Sequence, residues 1–179
     1  MTFSEVIGQE EVQERLMQMV REDRLPHAVM LCGPQGVGKK ALATAFACYL
    51  LGEAGQSGLS GLSGQSEDGK EPLMLQKLEH PDLHFTFPTI KLPSMGGDHI
   101  PVSDDFIGEW RELMLADPYF TMDEWMTAMG GENQQAIITA RESDELVRKL
   151  SLKSSQGGYK VSVVWLPERM NIACANTLL

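Results

Sequence analysis

The stretch from Gly33 to Lys40, GPQGVGKK, has the composition of a phosphate-binding loop. Gly33, Gly38 and Lys39 satisfy the pattern G-x-x-x-x-G-K, with Pro34, Gln35, Gly36 and Val37 between them. Glycines let the backbone curl until successive N–H groups point inward at phosphate oxygens. A following helix adds its positive end, and Lys39 would reach the β and γ phosphates. The motif's last position ordinarily holds Ser or Thr, whose hydroxyl ligates magnesium, but here it is Lys40. A protonated lysine has no lone pair for a cation, so Lys40 either adds charge to the phosphate site or lies on the helix surface. Hydrolysis also needs a carboxylate at the end of a neighbouring strand, to hold the metal's water shell, and a second acid for the attacking water. The candidate strand is Lys160 to Leu166 (KVSVVWL); Pro167 stands where the Asp is expected, and Glu168 survives as a remnant. Both metal anchors are absent together, which predicts little or no hydrolysis, no bound magnesium and no intact catalytic residue.

Three fixed positions would recur by chance, so the flanking elements decide the reading. Ala28 to Cys32 (AVMLC) is a short uninterrupted apolar run, the pattern of a strand buried on both faces. Lys40 to Leu51 (KALATAFACYLL) reads as a helix that stops at Gly52. The order strand, glycine-rich turn, helix is the context the motif requires. Upstream, apolar residues at Val12, Leu16, Met17, Met19 and Val20 predict a helix from Glu10 to Val20.

Downstream, Gly55 to Gly69 is Gly/Ser low complexity and is expected to be a flexible loop. Leu73 to Leu78 predicts a short helix and His84 to Phe87 a second strand, ended by Pro88. The segment 91–135 differs in character, with prolines at 93, 101 and 118 and the aromatics Trp110, Tyr119, Phe120 and Trp125. It reads as an α-rich insertion with helices at Asp104 to Leu115 and Met122 to Met129. Its aromatics either pack it onto the domain, the commoner use of such residues, or form a surface for a partner. The α/β pattern resumes with an edge strand at Ala136 to Thr139, a helix from Glu142 to Leu152, a turn at Gly157 and Gly158, the buried strand already named, and a helix from Asn171 to Leu179. The expected division is therefore 1–90 and 136–179 as two parts of one α/β domain, with 91–135 inserted. Because that last helix has no capping residue, the natural protein is expected to continue.

Composition bounds the class. With 42% apolar and 22% charged residues the chain has the make-up of a soluble globular protein, and its 179 residues suit one domain with an insertion. The formal charge of -10 excludes nucleic-acid binding as a property of the whole surface. Arg148, Lys149 and Lys153 form a modest basic patch, read first as a solvated helix face and second as a DNA contact. The cysteines Cys32, Cys48 and Cys174 form no C-x-x-C pair and fit a reducing cytoplasm. Neither a signal peptide nor a long apolar span is present in the sequence.

Phe3 to Gln9 (FSEVIGQ), a helix, Arg24 to Met30 (RLPHAVM) and the glycine-rich loop, in that order, resemble the start of AAA+ clamp-loader subunits of bacterial DNA polymerase III. His80-Pro81-Asp82, the late strand and NIACANTLL at 171–179 look like the δ′ branch of that family. The resemblance covers about residues 1–52, 73–88 and 136–179 and gives no counterpart to the insertion. It implies a P-loop NTPase fold of the AAA+ type, a parallel sheet flanked by helices. It also implies a non-catalytic, stator-like subunit of the polymerase III holoenzyme that helps place the sliding clamp on primed DNA. Partners would be the motor and δ subunits, the clamp, and primer-template DNA through the complex, with no membrane. By the same resemblance Val6, Ile7 and Gly8 would lie beside an adenine, and ATP would bind weakly or not at all. Family members commonly carry a four-cysteine zinc module after the loop's helix. Gly52 takes the first cysteine's place and serines 57, 60, 63 and 66 follow, so no zinc is expected. The family's sheet order sets a strand from beyond residue 179 next to the loop's strand, so the middle of the sheet is expected to be missing. A working motor ATPase of the same family is the second reading; a small-molecule kinase with this loop is the third, without an acceptor site or a cluster of lid arginines to support it.

Overall fold

A β-strand exists only if a neighbour takes up its backbone groups, and this rule separates the two apolar runs of the chain. The computed structural model describes residues 1–58, 73–131, 134–155 and 158–178. Its contacts divide the chain into two units, Met1–Leu83 with Ser154–Val161, and His84–Lys153 with Ser162–Leu179.

In the first unit, helix α1 (Glu10–Arg21) and helix α2 (Lys39–Gly58) pack together. Helix α2 has almost no amphipathic stripe: Ala41, Leu42, Thr44, Ala45, Phe46, Ala47, Cys48, Leu50 and Leu51 are all buried. Phe3 lies against Phe46 and Tyr49, at ring separations of 6.4 and 5.6 Å. Leu16 of α1, with Leu75 of the short helix α3 (Leu73–Gln76) and Leu78 just beyond it, adds to the same unit's core. The expected stop at Gly52 does not occur. One glycine costs a helix about 1 kcal/mol, and Glu53 and Ala54, both good helix formers, carry α2 on to Gly58. Residues 55–58 of the expected flexible loop are thus helical; the rest of that loop lies outside the described residues.

The run Ala28 to Cys32 is not the buried strand its composition predicts. No described residue pairs with it, and without a ladder its faces stay open, with Met30 79% exposed. The other apolar run does find a partner. Strands β1 (Leu83–Thr86) and β2 (Val161–Val164) form a two-stranded sheet. The Val161 N–H donates to the Asp82 carbonyl and the Trp165 N–H to that of Thr86, both at 2.8 Å. The two bonds advance together along both chains, which makes the pair parallel. The fold is α/β, as expected, though β2 is half-buried, with only Val163 fully covered. The expected edge strand at 136–139 is reduced to isolated bridges, Thr89 with Ile137 and Ile138 with Met170.

The second unit is built on aromatics. The insertion supplies helix α4 (Ile107–Ala116), preceded by a tighter turn at Ser103–Phe106, and helix α5 (Met122–Met129). The boundaries of α5 follow from its ends: Thr121 and Glu124 form a capping box, and Gly130 closes the helix at φ +77°. Trp110 stacks on Phe87 at 4.3 Å, Trp125 meets Phe87 edge-on at 4.9 Å, and Trp165 lies 5.3 Å from Trp110. The Trp125 indole N–H donates to the Pro88 carbonyl at 2.8 Å. The aromatics therefore pack the insertion onto β1 and the end of β2.

A buried polar lock fixes the register of that packing. The carboxylate of Glu142, on helix α6 (Ala140–Ser151), accepts from the Thr86 hydroxyl at 3.0 Å and the Ser103 N–H at 2.6 Å. The Ser103 hydroxyl in turn accepts from the Phe87 N–H at 3.0 Å. Helix α7 (Ile172–Leu178) packs on α6, capped by the Asn171 side chain, which accepts from the Cys174 N–H at 2.8 Å. Burial pushes the Cys174 thiol up from its ordinary value, against hydrogen bonding to Ser143, so it stays protonated at neutral pH.

Because Trp110 is fully buried, Trp110→Ala is expected to cost about 3–5 kcal/mol in urea unfolding, a large share of a domain's stability. Leu115→Ala on the same helix, 51% exposed, is expected to cost under about 0.5 kcal/mol. Equal small effects would mean that the insertion is not part of the core.

Candidate functional site

Gly36 and Gly38 take φ of +84° and +85°, left-handed values at which a side chain is strained. At Gly36 an added Cβ would meet nothing within 4 Å, so backbone conformation is what demands glycine there. The loop leads directly into the first turn of α2, whose leading N–H groups have no partner within the helix. Lys39 folds back over the loop, its Nζ donating to the carbonyls of Gly33 at 2.9 Å and Pro34 at 2.6 Å. The ammonium thus sits at the mouth of the loop, held by groups an incoming phosphate could replace. Lys40 is half-buried on the first turn of α2, in the place where a metal-binding hydroxyl is wanted.

The turn before α1 meets this loop. Val6 is buried, Ile7 is 78% exposed, and Gly8 and Gln9 are both left-handed, at φ +68° and +66°. Gln9 reaches the loop: its Nε2 donates to the Val37 carbonyl at 3.3 Å. Gln13 steadies the turn, its Nε2 donating to the Gly8 carbonyl at 2.7 Å. The structure thus brings the segment Val6 to Gly8 to the glycine-rich loop, through two glutamines that sequence reasoning passed over. Their signal was faint: glutamine is not a favoured residue just before a helix, and Gln9 stands there.

Pro167 and Glu168 lie in the second unit, on a tight turn directly after β2. Leu166 enters that turn at φ +56°, a left-handed conformation rare for a leucine, and Glu168 is exposed. Arg169 donates to the Ala136 carbonyl at 3.3 Å. The His80-Pro81-Asp82 motif is structural. Asp82 is buried and its carboxylate accepts from the Ser154 hydroxyl at 3.0 Å and the Ser155 N–H at 2.9 Å, while His80 Nδ1 accepts from the Asp82 N–H at 3.1 Å.

The basic patch is largely neutralised in place. Arg148 and Arg141 pair with Glu145 at 2.8 and 2.9 Å, and Lys149 pairs with Asp104 at 2.6 Å. The solvated-face reading fits this better than a free DNA contact. Among the described residues no His, Cys, Asp and Glu side chains converge as a metal site, and no helix is long and apolar enough to cross a membrane.

A family model described as "DNA polymerase III, delta subunit" matches residues 8–179. The Replication factor C small subunit of Methanosarcina mazei is 48% identical over 51 residues, 28% of this chain and 15% of that protein. That of Archaeoglobus fulgidus is 46% identical over 52 residues, covering 29% of this chain and 16% of the relative. That of Natronomonas pharaonis is 40% identical over 52 residues, with the same coverage of 29% and 16%. The chain thus matches only a small part of these relatives' length. No solved structure matches it.

The hydrogen bond from Arg148 holds the Glu145 carboxyl below its ordinary value of 4.5, with the charges of Arg148 and Arg141 acting the same way. Its stabilising contribution is therefore present above the unfolded-state pKa and is lost as pH falls through the lower folded value. In an NMR titration, Glu145 is expected to titrate below 4.5 and to move up in Arg148→Met. An unmoved midpoint would show that the pair does not hold in solution.

Proposed function

The chain belongs to the DNA polymerase III, delta subunit family, and from that premise we propose that it is a non-catalytic, stator-like subunit of a clamp loader, of the δ′ kind. It works by holding its neighbours, the motor and δ subunits, while the complex places a sliding clamp on primer-template DNA in the cytoplasm. The observation that carries this reading is that the sequence lacks the usual residue at both metal positions while its loop has kept its form. Lys40 replaces the hydroxyl that would ligate magnesium, and Pro167 replaces the carboxylate, yet Gly36 and Gly38 retain their left-handed backbone. Loss of the metal alone removes both charge neutralisation and orientation of the transferred phosphoryl group. Gly33 to Lys40 and Val6 to Gly8 then form a remnant of an AAA+ nucleotide site, in which ATP is held weakly or not at all and neither magnesium nor zinc is resident. The expected insertion, with Trp110, Phe120 and Trp125 spent on the core, leaves an exposed face that includes Ile100 and Leu115 for partner contacts.

Two measurements test the reading. The full-length protein, mixed with motor-type clamp-loader subunits of its own organism, is expected to join a stoichiometric complex on gel filtration; failure to associate would defeat it. Reverting both positions, Lys40→Thr with Pro167→Asp, is expected to improve magnesium-dependent ATP affinity by roughly tenfold in calorimetry, the effect of about 1.4 kcal/mol. Unchanged affinity would mean that the pocket is closed for another reason.

A further inference from the structure

We propose that Gln9 and Gln13 are positioning residues that aim the N–H of Gly38 into the phosphate loop; the ligand in this proposal rests on reading Gly33 to Lys40 as that loop. The backbone sets the problem. Gly8 and Gln9 are left-handed in succession, a conformation that a residue with a side chain rarely adopts. Something must hold Gln9 there. Its own carbonyl accepts from the Gln13 N–H at 2.9 Å as α1 begins, and the Gln13 carboxamide donates across to the Gly8 carbonyl at 2.7 Å. One residue of the helix thus closes the turn twice, once from its main chain and once from its side chain.

The turn so fixed carries the Gln9 carboxamide to the Val37 carbonyl, a contact between segments 28 residues apart. Its consequence follows from peptide geometry. No peptide bond among the described residues is cis, and in a trans peptide such as Val37–Gly38 the C=O and N–H point in opposite directions. With the Val37 carbonyl turned toward Gln9, the Gly38 N–H is turned away from it, and it donates to no described residue. An open donor in the loop whose carbonyls hold the Lys39 ammonium is what a phosphate oxygen requires. The segment 28–32 gives the loop no support, because nothing described pairs with it, so the peptide's orientation is set from the Gln9 side and from α2. In this arrangement the segment that would face a base and the loop that would face phosphates move as one body.

Gln9→Glu is the decisive variant, since it keeps the side chain's size and removes the donor. The heteronuclear NOE values and amide shifts of Gly36 to Gly38 are read by NMR, and binding of inorganic tripolyphosphate by calorimetry, all on the full chain. The expected result is a lowered NOE and a shifted Gly38 amide, with affinity for tripolyphosphate reduced by roughly fivefold, the worth of one hydrogen bond. Gln13→Leu, which frees the turn without touching the loop, should give the same change. Gln18→Glu, on the same helix but bonded to Glu22, should give none. Unchanged NOE and shifts in Gln9→Glu would overturn the proposal. If the parent protein binds no tripolyphosphate while the Gln9→Glu shifts still appear, the positioning role is supported and the phosphate reading is the part that fails.

Discussion

Everything in the first unit hangs on the burial of α2. The stretch 41–51 of α2, buried nearly all round, cannot rotate or slide without exposing Leu42, Phe46, Leu50 or Leu51, each of which gains about 1.5–3 kcal/mol by leaving water. The glycine-rich loop is the leading edge of that helix, so its shape is inherited from the core rather than from any ligand. The left-handed backbone of Gly36 and Gly38 is thus compatible with the core whichever residue stands at position 40. Nothing in the packing requires a hydroxyl at position 40, where Lys40 is half-buried on the first turn of α2.

The second unit obeys a different constraint. A two-stranded parallel sheet has too little surface to bury a core by itself, and β2 is only half covered. The insertion makes up the difference: Trp110, Phe120 and Trp125 surround Phe87 and Trp165, and the Glu142 lock fixes how they meet β1. Aromatic area supplies the stabilisation and the buried carboxylate supplies the register, since a carboxylate away from water must find its donors. Segment 91–135 is thereby part of the second unit's core.

Features carried by local chemistry were legible in the sequence. The helix expected at Met122 to Met129 is α5 to the residue, periodicity marked α1, and the G-x-x-x-x-G-K spacing marked the loop. Features that need a distant partner were not. An apolar run such as Ala28 to Cys32 looks the same whether or not a neighbouring strand is there to bond it, and Gly52 looks like a helix stop until Glu53 and Ala54 carry the helix through. The glutamine contacts of the site escaped for the same reason, because Gln9 and Val37 meet only once α1 and α2 have packed. Likewise the basic patch reads as open charge until Glu145 and Asp104 are seen to occupy it.

The central claim is that a phosphate loop persists here as scaffold after its metal chemistry has gone. Single-turnover hydrolysis of ATP by the full-length protein, with and without magnesium, tests that claim most directly. The account predicts no magnesium-dependent release of phosphate above the background without protein. Stoichiometric magnesium-dependent hydrolysis, abolished by Lys39→Ala, would contradict it.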